Sequence, residues 1–478
     1  MQACNTLHTL TFRSCLQATF EFWPAFYFGS LVTVKTMKAT SCLIILVGCM
    51  SLLRPVRAQE PVYLYTGEKL YRDAMELFDH EKYVPAKEKF EQYLLVNTDA
   101  QSEFRVNASF YRGLCALYLF HKDAEFLLER FTQDHPDSPH VRRVYFELAT
   151  FTYKKRDYRK SLEWFARVDP ADLSEKQRIE FYYKRGHTRF MLDEFGSART
   201  DFAEVKDVPG DYRYPALYYY AHIAYEAADY QVALEGFQVL EQVPEFKPVV
   251  PYYITQIYYK QGKYDQVISY APTAMDSTSE GGTKRLPELA RLLGDAYYRK
   301  ERFEEALPYL SLYHRKTDKA DISREDHYQL GYACYRVGRF LQAIDAFSAC
   351  TREPDEIHQM ALYNMGDCYL KLNQKPYARN AFEEASQMDF NREVKEDAMF
   401  NYAKLAFELS FNPFHEAITA FENYLKAYPD SPRRDEAYEF LLDVYMKSRA
   451  YEKALTSLEM IKNKDARIKE AYQFVAFN

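Results

Sequence analysis

The sequence predicts an all-α solenoid of about eleven helix–turn–helix repeats. Three observations carry that prediction. A pattern of small and aromatic residues recurs from about residue 68 to 460, with its small residues at 149, 186, 221, 255, 294, 331, 366 and 403 spaced 34 to 39 apart. Only 15 Gly and 20 Pro punctuate 478 residues, too few for the turns of a sheet-rich chain. Hydrophobic residues make up 47% and charged ones 27%, enough for a continuous core beneath a solvated surface.

The chain opens with text unlike the repeats. Residues 1–36 hold one acid, Glu21, and an apolar run from Phe22 to Val34 that is too short to span a bilayer. They read as an over-called extension ahead of a start at Met37, or as a disordered leader. Residues 37–58 read as a secretory signal. Met37-Lys38 is the basic end, Cys42 to Leu53 the apolar stretch, and Val56-Arg57-Ala58 sets cleavage after Ala58. Leu46-Val47-Gly48-Cys49 offers a second reading, lipidation at Cys49, although Met50-Ser51-Leu52-Leu53 stay apolar where polar residues usually follow. Either way the mature chain is expected to be exported. Loss of residues 1–58, with five Lys/Arg and one acid, takes the net charge from −7 to −11. That balance argues against nucleic acid as the main ligand. A mean hydropathy of −0.48 excludes a polytopic membrane protein.

Within each repeat the order is small residue, apolar or aromatic three later, aromatic nine later, Ala twelve later and a bulky apolar residue sixteen later. Gly294, Tyr297, Phe303, Ala306, Leu310 and Gly331, Cys334, Phe340, Ala343, Phe347 are the cleanest copies. Ala74, Leu77, Tyr83, Ala86, Phe90 open the series, and Gly186, Ala221 and Gly366 head three more. The small residue lets helix A approach helix B, and the aromatics fill the spaces between pairs. Departures are Thr255 and Val267 in the sixth unit, the long turn Ser410-Phe411-Asn412-Pro413 in the tenth and Leu442 in the eleventh. Asp276 to Arg285, containing Gly281-Gly282, reads as a flexible interruption between arrays at 59–275 and 286–478. Ile468 to Phe477 reads as an A helix without its B partner.

This text resembles the tetratricopeptide repeat (TPR), which implies a right-handed solenoid that binds protein segments along the face of its A helices. The phrase from Phe421 to Pro432 is similar to the repeats of exported Gram-negative envelope proteins of the BamD and CpoB type. With the small residue as position 8, the resemblance points to positions 2, 5, 9 and 12 as the binding face. Positions 5 and 12 lie two helical turns apart and share one side of the helix. That side carries Tyr183 and Phe190, Tyr218 and Tyr225, Tyr252 and Tyr259, and Tyr328 and Tyr335, extended by Tyr298 and Tyr363. Position 9 between them is polar: His187, His222, Gln256, Asp295 and Asp367.

A Tyr ladder broken by hydrogen-bonding groups suits a peptide, since Tyr gives large contact area at low entropy cost. Two other readings stay open. The rings stack between repeats and close the groove, or they are platforms for sugars. His187 and His222 lack a third ligand, so polar lining is favoured over a metal. No Walker A, GxGxxG, HExxH or GxSxG pattern is present, and no cofactor is expected. The expected function is therefore a non-enzymatic exported scaffold that binds a protein partner in the periplasm, outer-membrane-associated if lipidated, and helps assemble an envelope complex. The alternative is a glycan- or peptidoglycan-binding periplasmic protein.

Overall fold

The computed structural model describes residues 67–477 apart from 101, 280–284, 410–414 and 463–465. Ala58, Cys49, the leader and the signal lie outside the described residues, as do Gly281-Gly282 and the Ser410–Pro413 turn. By compactness the chain divides into Met1–Leu70 and Tyr71–Asn478, and the repeats belong to the second unit apart from the first turn of α1.

The described residues form 23 α-helices and no strand. They pair into eleven hairpins, as the spacing predicts. The first four are α1/α2 (Gly67–Asp79, Tyr83–Val96), α3/α4 (Glu103–Tyr118, Ala124–Asp134), α5/α6 (His140–Lys154, Tyr158–Phe165) and α7/α8 (Glu175–Met191, Phe195–Ala203). The middle four are α9/α10 (Arg213–Glu226, Tyr230–Glu241), α11/α12 (Val250–Lys260, Tyr264–Ser279), α13/α14 (Leu286–Arg299, Phe303–Lys316) and α15/α16 (Arg324–Arg336, Phe340–Ser348). The last three are α17/α18 (Glu356–Lys371, Lys375–Ser386), α19/α20 (Arg392–Leu409, His415–Ala427) and α21/α22 (Arg434–Lys447, Tyr451–Met460). A single helix, α23 (Ala466–Phe477), follows. From α2 onward each helix packs on the next, and the A helices α11, α13, α15, α17, α19 and α21 also adjoin one another in sequence. The stretch expected to break at Asp276 begins as helix, because α12 runs to Ser279.

The recurring small residue has a direct steric cause. A Cβ added at Gly331 would stand 2.8 Å from the Phe347 ring, and one at Gly366 would stand 2.8 Å from Phe382. Both rings are buried on helix B, sixteen residues after the glycine. Thr255 takes the same place in hairpin six by donating its hydroxyl to the Pro251 carbonyl at 2.8 Å.

A second regularity sits in the turns. In ten hairpins the residue seven after the small position has a positive φ, from 54° at Phe120 to 80° at Gly338. The turn of the remaining hairpin, the tenth, falls outside the described residues. The left-handed residue lets the next N–H reach back to helix A: Asp229 N donates to Ala224 O at 2.8 Å and Arg339 N to Cys334 O at 2.8 Å. This is a Schellman-type close, favoured by Gly and strained by about 1 kcal/mol for other residues. Gly338→Ala should therefore destabilise hairpin eight by about 1 kcal/mol, while Ala228→Gly should stabilise hairpin five by about 0.5–1 kcal/mol. Urea unfolding followed by circular dichroism checks both, and opposite signs are expected.

Candidate functional site

The A helices bring the predicted ladder together in a defined way. Position 12 of one repeat meets position 9 of the next across six successive junctions. Tyr153 meets His187 edge-on at 5.5 Å, and Phe190 meets His222 at 5.9 Å. The Tyr225 hydroxyl donates to Gln256 Oε1 at 3.0 Å, and Tyr259 donates to Asp295. Tyr298 meets the Tyr332 ring at 6.0 Å, and Tyr335 donates to Asp367 Oδ2 at 2.6 Å.

Position 5 joins the same network. Gln256 Nε2 donates to the Tyr252 hydroxyl at 2.7 Å, so one amide bridges Tyr225 and Tyr252. Asn364 donates to Tyr328 at 3.1 Å, and Tyr363 donates to Asp397. Tyr183 stacks on Tyr212 at 4.7 Å. Asp295, only 6% exposed, accepts from Tyr259, Gln329 and Arg299 Nε, the last at 2.6 Å. Three donors replace the water it loses. Burial, reinforced at Tyr259 by its bond to Asp295, pushes the Tyr252, Tyr259 and Tyr298 hydroxyls up to about 12. All three hydroxyls are neutral at any physiological pH.

Exposure divides the predicted residues. Tyr218, His222, Phe190, Gln256 and Asp295 are buried. Tyr183, His187, Tyr225, Tyr252, Tyr259, Tyr298, Tyr328, Tyr335, Tyr363 and Asp367 are half-buried. At Gln256 and Asp295 the polar atoms orient neighbouring rings. The ladder is thus anchored by its own polar groups.

Residues 360–387 and 397–431 match the tetratricopeptide repeat family model. The chain carries tetratricopeptide repeats. The matched segments are hairpins nine and ten, and the Gly366–Phe382 contact of hairpin nine recurs outside them at Gly186–Phe202 and Gly331–Phe347. No curated protein matches the chain. Among solved structures, it is similar to the C-terminal part of a TPR repeat-containing protein from Cytophaga hutchinsonii, at 17% identity over 53% of this chain and 98% of that one, with a TM-score of 0.37. YrrB, described as a TPR protein with an unusual peptide-binding site, is 19% identical over 43% of this chain and 96% of its own, with a TM-score of 0.34. The Cut9–Hcn1 hetero-tetramer of the APC/C aligns over 87% of this chain and 91% of its own, at 14% identity and a TM-score of 0.25.

Two features of the TPR array escaped the sequence reading. Asp201, 1% exposed on α8, is gripped by Arg185 (Nη2 to Oδ1, 2.6 Å) and Arg189 (Nη1 to Oδ2, 2.7 Å) on α7. Two arginines one helical turn apart, facing an acid on the following helix, were the available signal. The histidines at position 9 sit in aromatic cages. His187 has Tyr153, Tyr158, Tyr183 and Tyr219 around it at 5.2 to 6.4 Å. His222 has Phe190, Tyr218, Tyr225 and Tyr253 at 5.4 to 6.3 Å.

Burial pulls His187 down to about 4, and burial followed by the nearby Arg285 charge pulls His222 down to about 3. Glu226 lies 3.7 Å from His222 without reversing that direction. The unfolded chain takes up these protons first, near an ordinary histidine pKa of about 6.5. Their contribution to stability is complete above about pH 6.5 and falls as pH drops toward 4 for His187 and 3 for His222, by at most about 1.4 kcal/mol per pH unit each. Denaturant midpoints measured from pH 7.5 to 4.5 should show a shallower decline in a His187→Phe, His222→Phe double variant than in the parent chain.

Proposed function

We propose that this chain is a non-enzymatic exported scaffold that binds a segment of a protein partner along the aromatic face of its A helices, in the assembly or organisation of a cell-envelope complex. One observation carries the binding part. Tyr225, Tyr252, Tyr259, Tyr328 and Tyr335 are half-buried, not fully enclosed, while their hydroxyls are held by side chains of the same or the next repeat. A ring already fixed in place loses little further entropy when a ligand covers it. Anchored hydroxyls also leave mainly apolar ring surface to offer, which suits side chains of an extended segment better than a ligand needing many hydrogen bonds.

The export part rests on the basic, apolar and small-residue succession of residues 37–58. Periplasmic placement follows from the similarity of Phe421 to Pro432 to envelope repeats. Outer-membrane attachment would follow from lipidation at Cys49.

Photoreactive benzoylphenylalanine placed at Tyr298, Tyr328 or Tyr363 should cross-link a discrete protein in intact cells. The same group at Leu341, 68% exposed on α16, should not. Cross-links confined to Leu341 would move the binding surface to the B helices. Intact mass of the purified protein reports processing: a chain beginning at Gln59 supports the soluble exported form, one beginning at a lipidated Cys49 the anchored form, and one retaining residues 37–58 removes the export reading.

A further inference from the structure

The A helices of hairpins six to eleven end on a row of charges, of which Arg299 alone serves a buried partner, Asp295. Position 13 is Lys260, Arg299, Arg336, Lys371, Glu408 and Lys447 in order, and all six are exposed. Because α11, α13, α15, α17, α19 and α21 adjoin one another, these side chains stand at one register along one edge of the aromatic face. Glu408 is paired with Lys375 at 2.9 Å. Five cations of six are thus carried on neighbouring helices about 8–10 Å apart, roughly one Debye length, where like charges still repel.

Complementing the helix dipole does not account for the row. That effect acts equally on every helix C-terminus. Yet the B helices α2, α4, α6, α8, α10, α12, α16, α18 and α22 have no basic residue in their last turn. Only α14 and α20 do. Pairing within the repeat does not absorb the row either. Arg299 bonds Asp295 and Lys447 stands 3.9 Å from an exposed Asp443, but Lys260, Arg336 and Lys371 make no carboxylate ion pair among the described residues. The acids of the opposite edge, such as Glu288 and Glu325, are eleven residues back on their helices, about 16 Å away.

Aromatic rings hold the cations in place. Lys260 stands over Tyr225 at 5.7 Å, Arg299 over Tyr264 at 5.5 Å, Arg336 over Phe303 at 4.6 Å and Lys447 over Phe407 at 4.5 Å. Each ring supports the side chain and leaves the charged group at the rim of the face. The result is a Tyr-rich floor bordered by positive charge at hairpins six to nine and eleven, in a chain whose net charge is −7.

We infer that the partner of this face is an acidic, extended polypeptide segment, whose carboxylates run along the position-13 edge while its apolar side chains lie on the rings. This inference rests on the A-helix face being the binding face, and the test separates the two. The probes are a fluorescein-labelled 20-residue peptide of repeating Glu-Ser-Tyr-Ala, its counterpart with Lys for Glu, and polygalacturonate, titrated against the full-length chain by fluorescence anisotropy. The Glu peptide should bind at least tenfold tighter than the Lys peptide. It should weaken at least tenfold in a Lys260→Gln, Arg336→Gln, Lys371→Gln, Lys447→Gln variant that keeps the parent circular dichroism spectrum. If that variant misfolds, raising salt from 50 to 300 mM with the parent chain should give a comparable loss, against little change for the Lys peptide.

Equal binding of the two peptides overturns the inference, as does salt-independent binding of the Glu peptide. Preferential binding of polygalacturonate overturns it in favour of an anionic glycan. Should cross-links from Tyr298 capture a protein that excess Glu peptide fails to displace, the binding face stands and the acidic partner falls.

Discussion

The close approach of helix B to helix A at one small residue is the constraint on which this structure depends. It recurs at Gly186, Gly294, Gly331 and Gly366, each with a Leu or Phe side chain pressed against the place a Cβ would occupy. A hairpin closed in this way has buried only one side of each helix. The remaining sides are covered by the hairpins before and after it, so the core is continuous along the array. The same constraint sets the spacing of the A helices, which in turn brings position 12 of one repeat to position 9 of the next.

The ladder consequently has two loyalties. Its hydroxyls, amides and carboxylates tie neighbouring repeats together, and its rings make up the open surface. Loss of a Tyr hydroxyl would loosen a junction as well as alter the face, and a surface built like this is stiff. Asp295 shows how far the coupling goes: three donors from three consecutive A helices converge on one buried carboxylate. Such convergence stabilises only when every partner is present, because an unpaired buried charge is costly.

Much of this was legible in the sequence, for a physical reason. The contacts at the small position, the helix-B Ala and the residue sixteen after the small position are local, within one hairpin, and their spacing recurs through most of the eleven hairpins. The ladder residues were visible as residue types, but their pairing was not, since a bond from Tyr335 to Asp367 depends on the rotation between hairpins. The histidines read as groove lining, whereas the fold wraps each in four aromatic rings from neighbouring helices. The cations at position 13 were overlooked because attention to positions 2, 5, 9 and 12 passes over the next residue along. The left-handed turn residue left no mark because Glu, Phe, Arg, Asp, Ala and Asn all occupy it beside Gly.

The turn is held by main-chain bonds, such as Arg302 N to Tyr297 O at 3.0 Å, and the side chain at the left-handed position takes no part in them. Backbone direction and side-chain chemistry are therefore decoupled along this margin. A hairpin can exchange acid for base or aromatic at its tip for roughly the same local strain, about 1 kcal/mol, whichever residue is chosen. The interior is written in a restricted alphabet, while the edge is free text, and drift there can change what the array attracts while leaving its architecture as it is.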